Sequence, residues 1–343
     1  MIYGLAREAL FALDPEHSHE LTIATLSRFP KLATAPFAGR VPDAPAEVLG
    51  LRFRNRVGLS AGLDKNGDCI EAFDRFGFGF IEVGTVTPRP QPGNPKPRLF
   101  RLPSQQALIN RLGFNNKGVD YLVERAREAP RTAILGINIG KNADTPVEHA
   151  ADDYEHCLRK VHAVADYVTV NISSPNTKNL RDLQDAGRLK ALLERIRQVR
   201  EELAQREGRR VPLLVKIAPD LDTDAVRQLA ETVRSLAVDG LIATNTTIQR
   251  PGLEGAKLAQ EQGGLSGAPL RPLAIGVLKT LRSALGRDFP LIGVGGILGG
   301  ADARERREAG ADLVQIYTGF IYRGPQLVAE CGKALLPQAA PVR

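Results

Sequence analysis

Short runs of β-branched and aliphatic residues recur along the chain at 57–60, 80–85, 133–139, 167–172, 213–217, 241–244, 291–294 and 313–317, with Gly, Asn, Ser, Lys or Thr at or near the end of each. Most are separated by stretches whose apolar residues repeat every three to four positions, as at 189–203, 225–236 and 272–285. The first pattern predicts buried strands and the second amphipathic helices. Eight β–α alternations imply a parallel sheet with crossover helices, and eight is the number that closes a (β/α)8 TIM barrel. An open doubly wound sheet is the alternative arrangement.

Two segments break the rhythm. Residues 88–130 open on Pro-Arg-Pro-Gln-Pro-Gly-Asn-Pro-Lys-Pro, a density of proline that predicts an excursion without regular structure ahead of a helix at 119–128. The stretch before Val57 carries a helix start at Asp14-Pro15-Glu16: a capping carboxylate, proline at the first helical position and a second carboxylate in the first turn. Around it, Ile2, Leu5, Leu10, Phe11, Leu13, Leu21, Ile23, Ala24, Leu26 and Phe29 are not confined to one narrow stripe. Its charges cancel, Arg7, Arg28, Lys31 and Arg40 against Glu8, Asp14, Glu16 and Glu20. The chain therefore divides into an apolar helical segment, 1–40, and a barrel, 41–343.

Composition narrows the function classes. With 43% hydrophobic and 25% charged residues the 343-residue chain has globular composition, and no apolar run approaches the roughly 20 residues that span a bilayer. The N-terminus has none of the features of a signal peptide. Cys69, Cys157 and Cys331 are far apart, which argues against disulfides, structural zinc and iron–sulfur clusters and suits a reducing compartment. The net charge of +7 is scattered among acidic residues, and with no Trp and six Tyr there is little to stack on bases. Nucleic acid is thus a poor partner, whereas an anionic membrane surface or an anionic small molecule suits the surplus.

In such a barrel the chemistry sits at the C-terminal ends of the strands. Those ends hold Ala61-Gly62-Leu63-Asp64-Lys65, Gly84-Thr85, Asn138, Asn171 to Asn176, Lys216, Thr244-Asn245-Thr246, Gly295-Gly296 and Tyr317-Thr318-Gly319. These are amides, hydroxyls and two lysines, with Asp64 the one carboxylate and no histidine, which argues against a catalytic metal. Beside Lys65, Asp64 reads equally well as an ion-pair partner or loop cap. Gly295-Gly296 and Thr318-Gly319 fall after strands seven and eight, where barrels bind phosphate on backbone N–H groups. Asparagines match the alternating donors and acceptors of a polar heterocycle. A lysine there would stabilise a reduced flavin, or alternatively form a Schiff base as in barrel aldolases.

Six motifs, in order and at compatible spacing, resemble the signatures of the dihydroorotate dehydrogenases. They are Ser60-Ala61-Gly62-Leu63-Asp64-Lys65-Asn66, Asn110-Arg111-Leu112-Gly113-Phe114-Asn115, Asn171-Ile172-Ser173-Ser174-Pro175-Asn176-Thr177, Asn245-Thr246-Thr247, Gly264-Leu265-Ser266-Gly267 and Gly293-Val294-Gly295-Gly296-Ile297. The resemblance runs from about Asp14 to the C-terminus. A serine at 174, where soluble class 1 members have cysteine, and the N-terminal extension both resemble the membrane-associated class 2.

The resemblance implies oxidation of dihydroorotate to orotate through FMN, in de novo pyrimidine synthesis, with a membrane quinone as acceptor. It assigns one FMN per chain to Ala61, Gly62, Leu63, Asp64, Lys65, Thr85, Asn138, Asn171, Lys216, Thr244, Gly267, Gly296, Tyr317 and Thr318. Substrate falls to Lys65, Asn110, Arg111, Leu112, Gly113, Phe114, Asn171, Asn176, Asn245 and Thr246, with Arg111 equally readable as a structural ion-pair residue. Ser174 would be the base, relayed through water or Thr177. His19, Arg101 and Tyr317 would line the inner end of a quinone funnel formed by the N-terminal helices, although His19 alone reads as a capped surface residue. Peripheral attachment on the cytoplasmic side of a bacterial membrane follows, with no obligate protein partner.

Overall fold

All eight strand-like runs enter one sheet in the computed structural model, which describes residues 2–177 and 179–337. The strands are β1 (Val57–Leu59), β2 (Phe80–Val86), β3 (Ile134–Ile139), β4 (Tyr167–Asn171), β5 (Leu213–Ile217), β6 (Gly240–Ala243), β7 (Leu291–Val294) and β8 (Leu313–Ile316). They pair in chain order, every neighbour parallel, and β8 closes on β1 through Val314↔Val57 and Ile316↔Leu59. The four helices read from the sequence are Val119–Glu128, Ala186–Glu207, Thr223–Ser235 and Arg271–Leu285. They belong to the outer layer, as in any right-handed β–α repeat.

The barrel interior is layered. Its lower end is apolar, packed by Phe53, Phe80, Tyr167, Leu214, Ile242, Ile292 and Leu313. Two glycines make room for the aromatics: a Cβ on Gly58 would meet the Phe80 ring and one on Gly136 the Tyr167 ring. One step up, the inward residues turn polar, with Glu82, Asn138, Thr169, Lys216 and Gln315 all buried. Above these opens the C-terminal mouth. The sequence flagged Lys216 and Asn138 in this layer but passed over Glu82 and Gln315.

The proline-rich excursion is only partly irregular, which corrects the sequence reading. Leu99–Leu102 and Ala107–Asn110 form an antiparallel hairpin, and Gly264–Gly267 adds a third strand to it from far along the chain. Proline excludes regular structure only where it is dense, up to Pro97. The sheet is completed by pairing that no local pattern reveals. The irregular part clamps the 110–116 segment: Asn94 Nδ2 donates to Arg111 O (2.9 Å), and Gln91 Nε2 to Gly113 O and Phe114 O (3.0 and 3.1 Å).

The N-terminal segment folds as α1 (Ile2–Phe11), α2 (Pro15–Arg28) and α3 (Pro30–Thr34). Asp14 caps α2 as its sequence predicts, accepting from the N–H groups of Glu16 and His17 at 3.0 Å each. Glu16 is not left to solvent. Buried, it pairs with the buried Arg98 at 2.7 Å, and the two N–H groups of that fork hold its carboxyl below the usual range, aided by Lys96 and against the burial that would raise it. No described helix is long and apolar enough to cross a membrane.

Candidate active site

The mouth of the barrel is a cleft of about 970 Å³. Of the residues singled out from sequence, Ala61, Gly62, Lys65, Thr85, Asn110, Leu112, Gly113, Phe114, Asn171, Ser174, Asn176, Lys216, Thr244, Asn245, Thr246, Gly267, Gly296, Tyr317 and Thr318 line it. Four of the FMN and substrate candidates lie off its wall. Leu63 faces the N-terminal helices. Asp64 is the loop cap, accepting from the N–H groups of Cys69 and Asp68 at 2.8 and 2.9 Å, and burial pushes its pKa up to about 6 against those bonds. Arg111 pairs with Glu261 at 2.7 Å and stacks over Phe100. Asn138 lies fully buried behind Thr85 and Asn171.

One end of the cleft has a geometry that suits an anion. Gly295 and Gly296 have φ of +106° and +71°, conformations that suit glycine, and a Cβ on Gly296 would come within 2.5 Å of Arg271 Cβ. Across the gap, Thr318 Oγ1 donates to Ser266 Oγ at 2.8 Å. The N–H groups of Gly296, Thr318 and Gly319 have no backbone acceptor among the described residues. Unpaired N–H groups converging on a space kept open by glycine suit a phosphate.

The middle of the cleft is built of amides. Asn171 Nδ2 donates to Thr85 Oγ1 (2.9 Å) and Asn138 Oδ1 (3.1 Å), and its Oδ1 accepts from the N–H and hydroxyl of Ser173. Asn245 Nδ2 reaches Ser173 Oγ at 3.0 Å, and Asn176 Nδ2 reaches Asn110 Oδ1 at 3.2 Å. Lys216 is buried with Nζ donating to Ser60 Oγ at 3.2 Å; burial lowers its pKa and the Glu82 charge opposes that. Burial lowers Lys65 to about 8, against the pull of Glu16.

Ser174 is buried on the wall, its Oγ accepting from the Asn176 N–H at 3.2 Å. The hydroxyl hydrogen is thereby free for another acceptor. Thr177 Oγ1, on the same turn, is buried without a partner among the described residues. Sequence reasoning missed what holds this turn in place. Arg181 donates from Nε to Ser173 O (3.1 Å) and from Nη2 to Thr246 O (2.9 Å), while Nη1 pairs with Asp220 at 2.8 Å. A lone basic residue in a polar loop gives no local sign of such a bridge.

A second cavity, about 1290 Å³ and largely apolar, lies beneath the N-terminal helices. Leu10, Phe11, Ile23 and Phe37 wall it on one side, and Phe73, Phe76, Leu108 and Phe320 on the other. His19, Arg101 and Tyr317 all line it, with Tyr3, Ser18 and Thr22 as further polar residues, and Tyr317 lines both cavities. His19 is no surface histidine: burial, aided by the Lys65 charge, pushes its pKa down to about 3, so the ring is neutral. Arg101 donates to Phe11 O at 2.9 Å and stacks on the Phe11 ring.

A closed parallel barrel with a glycine-backed space suited to an anion at its C-terminal mouth has the architecture of the phosphate-binding barrel enzymes. The sequence profile of the dihydroorotate dehydrogenase family matches residues 44–337. The chain is 57% identical over 339 residues to the dihydroorotate dehydrogenase (quinone) of Alkalilimnicola ehrlichii, covering 98% of this chain and 100% of that one. It is 56% identical over 340 residues to that of Paraburkholderia phymatum, covering 99% of each. The crystal structure of ligand-free Eimeria tenella DHODH superposes with a TM-score of 0.86 at 39% identity, over 94% of each chain. The chain belongs to the dihydroorotate dehydrogenase family of oxidoreductases.

Proposed function

We propose that the protein oxidises dihydroorotate to orotate, in the de novo route to pyrimidines, with FMN in the barrel mouth and a quinone as final acceptor. The observation that carries this reading is the meeting of two unlike cavities at one side chain, Tyr317: a polar cleft suited to a phosphorylated cofactor and a small anion, and an apolar one suited to a quinone. The decisive experiment is an anaerobic absorbance spectrum of the purified protein before and after dihydroorotate. A flavin spectrum that bleaches supports the proposal; a colourless protein with full cofactor supply overturns it.

The residues suit FMN. Gly267, Gly296, Thr318 and Gly319 would hold the phosphate, while Ala61, Gly62, Thr85, Asn171, Lys216 and Thr244 would surround the ring, with Asn138 behind them. The bound flavin supplies two-electron acceptance from the substrate and donation to the quinone. Lys216 brings positive charge to the buried ring site, which favours electron acceptance. Asn110, Asn176, Asn245 and Thr246 orient the substrate ring, and Lys65 pairs with its carboxylate. Ser174 takes the proton at substrate C5, whose acidity derives from the neighbouring carbonyl, and Thr177 offers an onward path.

Substituting Gly296 by Val places a branched side chain in a left-handed conformation and into the anion cradle. FMN should then be lost on desalting, with stability lowered by about 1–3 kcal/mol. Retained FMN at wild-type affinity places the phosphate elsewhere.

Lys65 carries a pH signature. Its cation is present below about 8 and lost above, so orotate binding should be strong at pH 6–7 and weaken as pH rises through 8, somewhat later where the ligand itself holds the proton on. Lys65→Met should bind orotate about 10–100-fold more weakly and without that dependence. Titration of the flavin absorbance with orotate across pH 6–9 measures both; an unchanged pH profile in the variant removes Lys65 from the substrate carboxylate.

The segment 1–40 would form the quinone access path and rest on the membrane. Leu5, Leu13, Leu21, Phe29 and Leu32 are exposed on it, an apolar surface on a segment without net charge, as expected of a monotopic helix cluster on the cytoplasmic face of a bacterial membrane.

A further inference from the structure

Glu82 is a fully buried carboxylate at the centre of the barrel, and it makes no ion pair among the described residues. It accepts three hydrogen bonds: from Asn138 Nδ2 (2.8 Å), Tyr167 OH (2.9 Å) and Gln315 Nε2 (2.9 Å). It touches neither the cleft nor the apolar cavity. Lys216, in the same buried layer, is the nearest opposite charge but makes no direct ion pair with it, and a buried carboxylate without one is costly unless hydrogen bonds and a role compensate.

The role lies in the amides it faces. A primary amide has nearly the same shape in its two flipped orientations, so only its partners decide which way it points. A carboxylate with all its contacts donated to it offers no such choice. Because Glu82 accepts, Asn138 must present Nδ2 to it and turn Oδ1 outward. That Oδ1 accepts from Thr85 Oγ1 (2.5 Å) and Asn171 Nδ2 (3.1 Å), and Thr85 Oγ1 accepts from Asn171 in turn. Asn171 therefore points Nδ2 inward and Oδ1 at Ser173, whose hydroxyl accepts from Asn245 Nδ2, leaving Asn245 Oδ1 for the Thr246 N–H at 2.8 Å. Each link has one direction: Glu82 sets it at Asn138, and the Ser173 N–H agrees with it at Asn171, while Asn245 is held by the Thr246 N–H.

We infer that Glu82 is a positioning residue: through Asn138 and Thr85 it holds, together with the Ser173 N–H, the orientation in which Asn171 presents its amide to the substrate. The inference rests on the proposed dihydroorotate chemistry, so the first measurement is orotate binding to the wild-type protein by flavin absorbance titration. Absence of that binding removes the proposed function itself. It is distinguishable from failure of the positioning role, in which the wild type binds orotate and the variants bind it equally well.

Glu82→Gln keeps the shape but puts an amide among three donors. Orotate affinity should fall about tenfold, and KM for dihydroorotate should rise by more than kcat falls, while FMN still binds. Asn138→Ala breaks the relay but leaves the Glu82 charge opposite Lys216, and should lose orotate affinity to a similar extent. The exchange variant Glu82→Gln/Asn138→Asp restores a donor facing an acceptor at each contact that the two side chains make. The amide introduced at position 82 donates through its nitrogen to the carboxylate introduced at position 138, and its oxygen accepts from Tyr167 and Gln315. The introduced carboxylate also accepts from Thr85 and Asn171. This variant should recover orotate affinity to within about threefold of wild type, and it decides the question even if Glu82→Gln alone fails to fold. Wild-type orotate affinity in Glu82→Gln or in Asn138→Ala overturns the inference, as does a folded exchange variant that binds orotate about tenfold or more below wild type.

Discussion

Replacing Ser174 by Ala should yield a protein that still holds FMN and orotate but whose flavin is reduced by dihydroorotate about 10²–10⁴-fold more slowly, the loss expected when a general base is removed. The size of the effect follows from what surrounds the serine. No histidine or carboxylate lines the cleft among the described residues, and its two lysines, Lys65 and Lys216, are assigned to the substrate carboxylate and the flavin, which leaves the C5 proton to Ser174. Ser174 itself is small and buried, its one hydrogen bond is an acceptance from the Asn176 N–H, and the turn that carries it is held by Arg181 through Ser173 O. Truncation to alanine therefore removes the hydroxyl without releasing the loop, and stability should change by less than about 1 kcal/mol. Cysteine at 174 should keep part of the rate, because a thiol also accepts a proton. Stopped-flow reduction under anaerobic conditions measures it, and wild-type kinetics in the alanine variant would remove Ser174 from the mechanism.

The strands were legible because a parallel barrel buries both faces of each one, leaving short unbroken apolar runs whose ends coincide with the mouth. The start of α2 was legible because capping is local: Asp14, Pro15 and Glu16 act within one turn. The hairpin of 99–110 was not, since its third strand is contributed from 264–267 and proline upstream of it pointed the other way. Within the motifs, spacing cannot tell a wall residue from its neighbour. Leu63 and Asp64 share a loop with Lys65 yet turn to other surroundings, and Arg111 sits in a recognised run yet spends its charge on Glu261. Glu82 did leave a trace, as a lone carboxylate between Ile81 and Val83 in a strand whose other residues carry no charge. Such a residue in a barrel strand is either facing the interior for a reason or not in a strand at all. His19 misled for the opposite reason: its surroundings come from Lys65 and the barrel rim, which its own helix does not disclose.

Removing residues 1–40 should separate the two halves of the proposed reaction. The deletion takes away α1, α2 and α3, one wall of the apolar cavity, but no residue that lines the polar cleft. Reduction of the flavin by dihydroorotate should therefore persist, while turnover with a long-tailed quinone should fall at least about 100-fold because the apolar path to Tyr317 is gone. A small water-soluble acceptor should restore turnover, since it reaches the flavin without that path. The cost to the fold is bounded by the contacts that cross the boundary. Arg98 loses Glu16, yet it keeps its bonds to Pro92 O and Asn94 O at 2.6 and 2.7 Å, and its charge becomes hydrated rather than stranded. Leaving that arginine covered and unpaired, as Glu16→Ala does in the intact chain, is the harsher change, at about 3–5 kcal/mol. The exposed Phe73, Phe76 and Phe320 make detergent necessary for the truncated protein. Liposome binding should fall with the deletion, and in the intact protein it should respond only weakly to salt because the segment has no net charge. Full quinone turnover after truncation makes the segment a structural cap and moves the quinone site elsewhere; strong salt sensitivity of the intact protein shifts the membrane contact to the basic barrel surface.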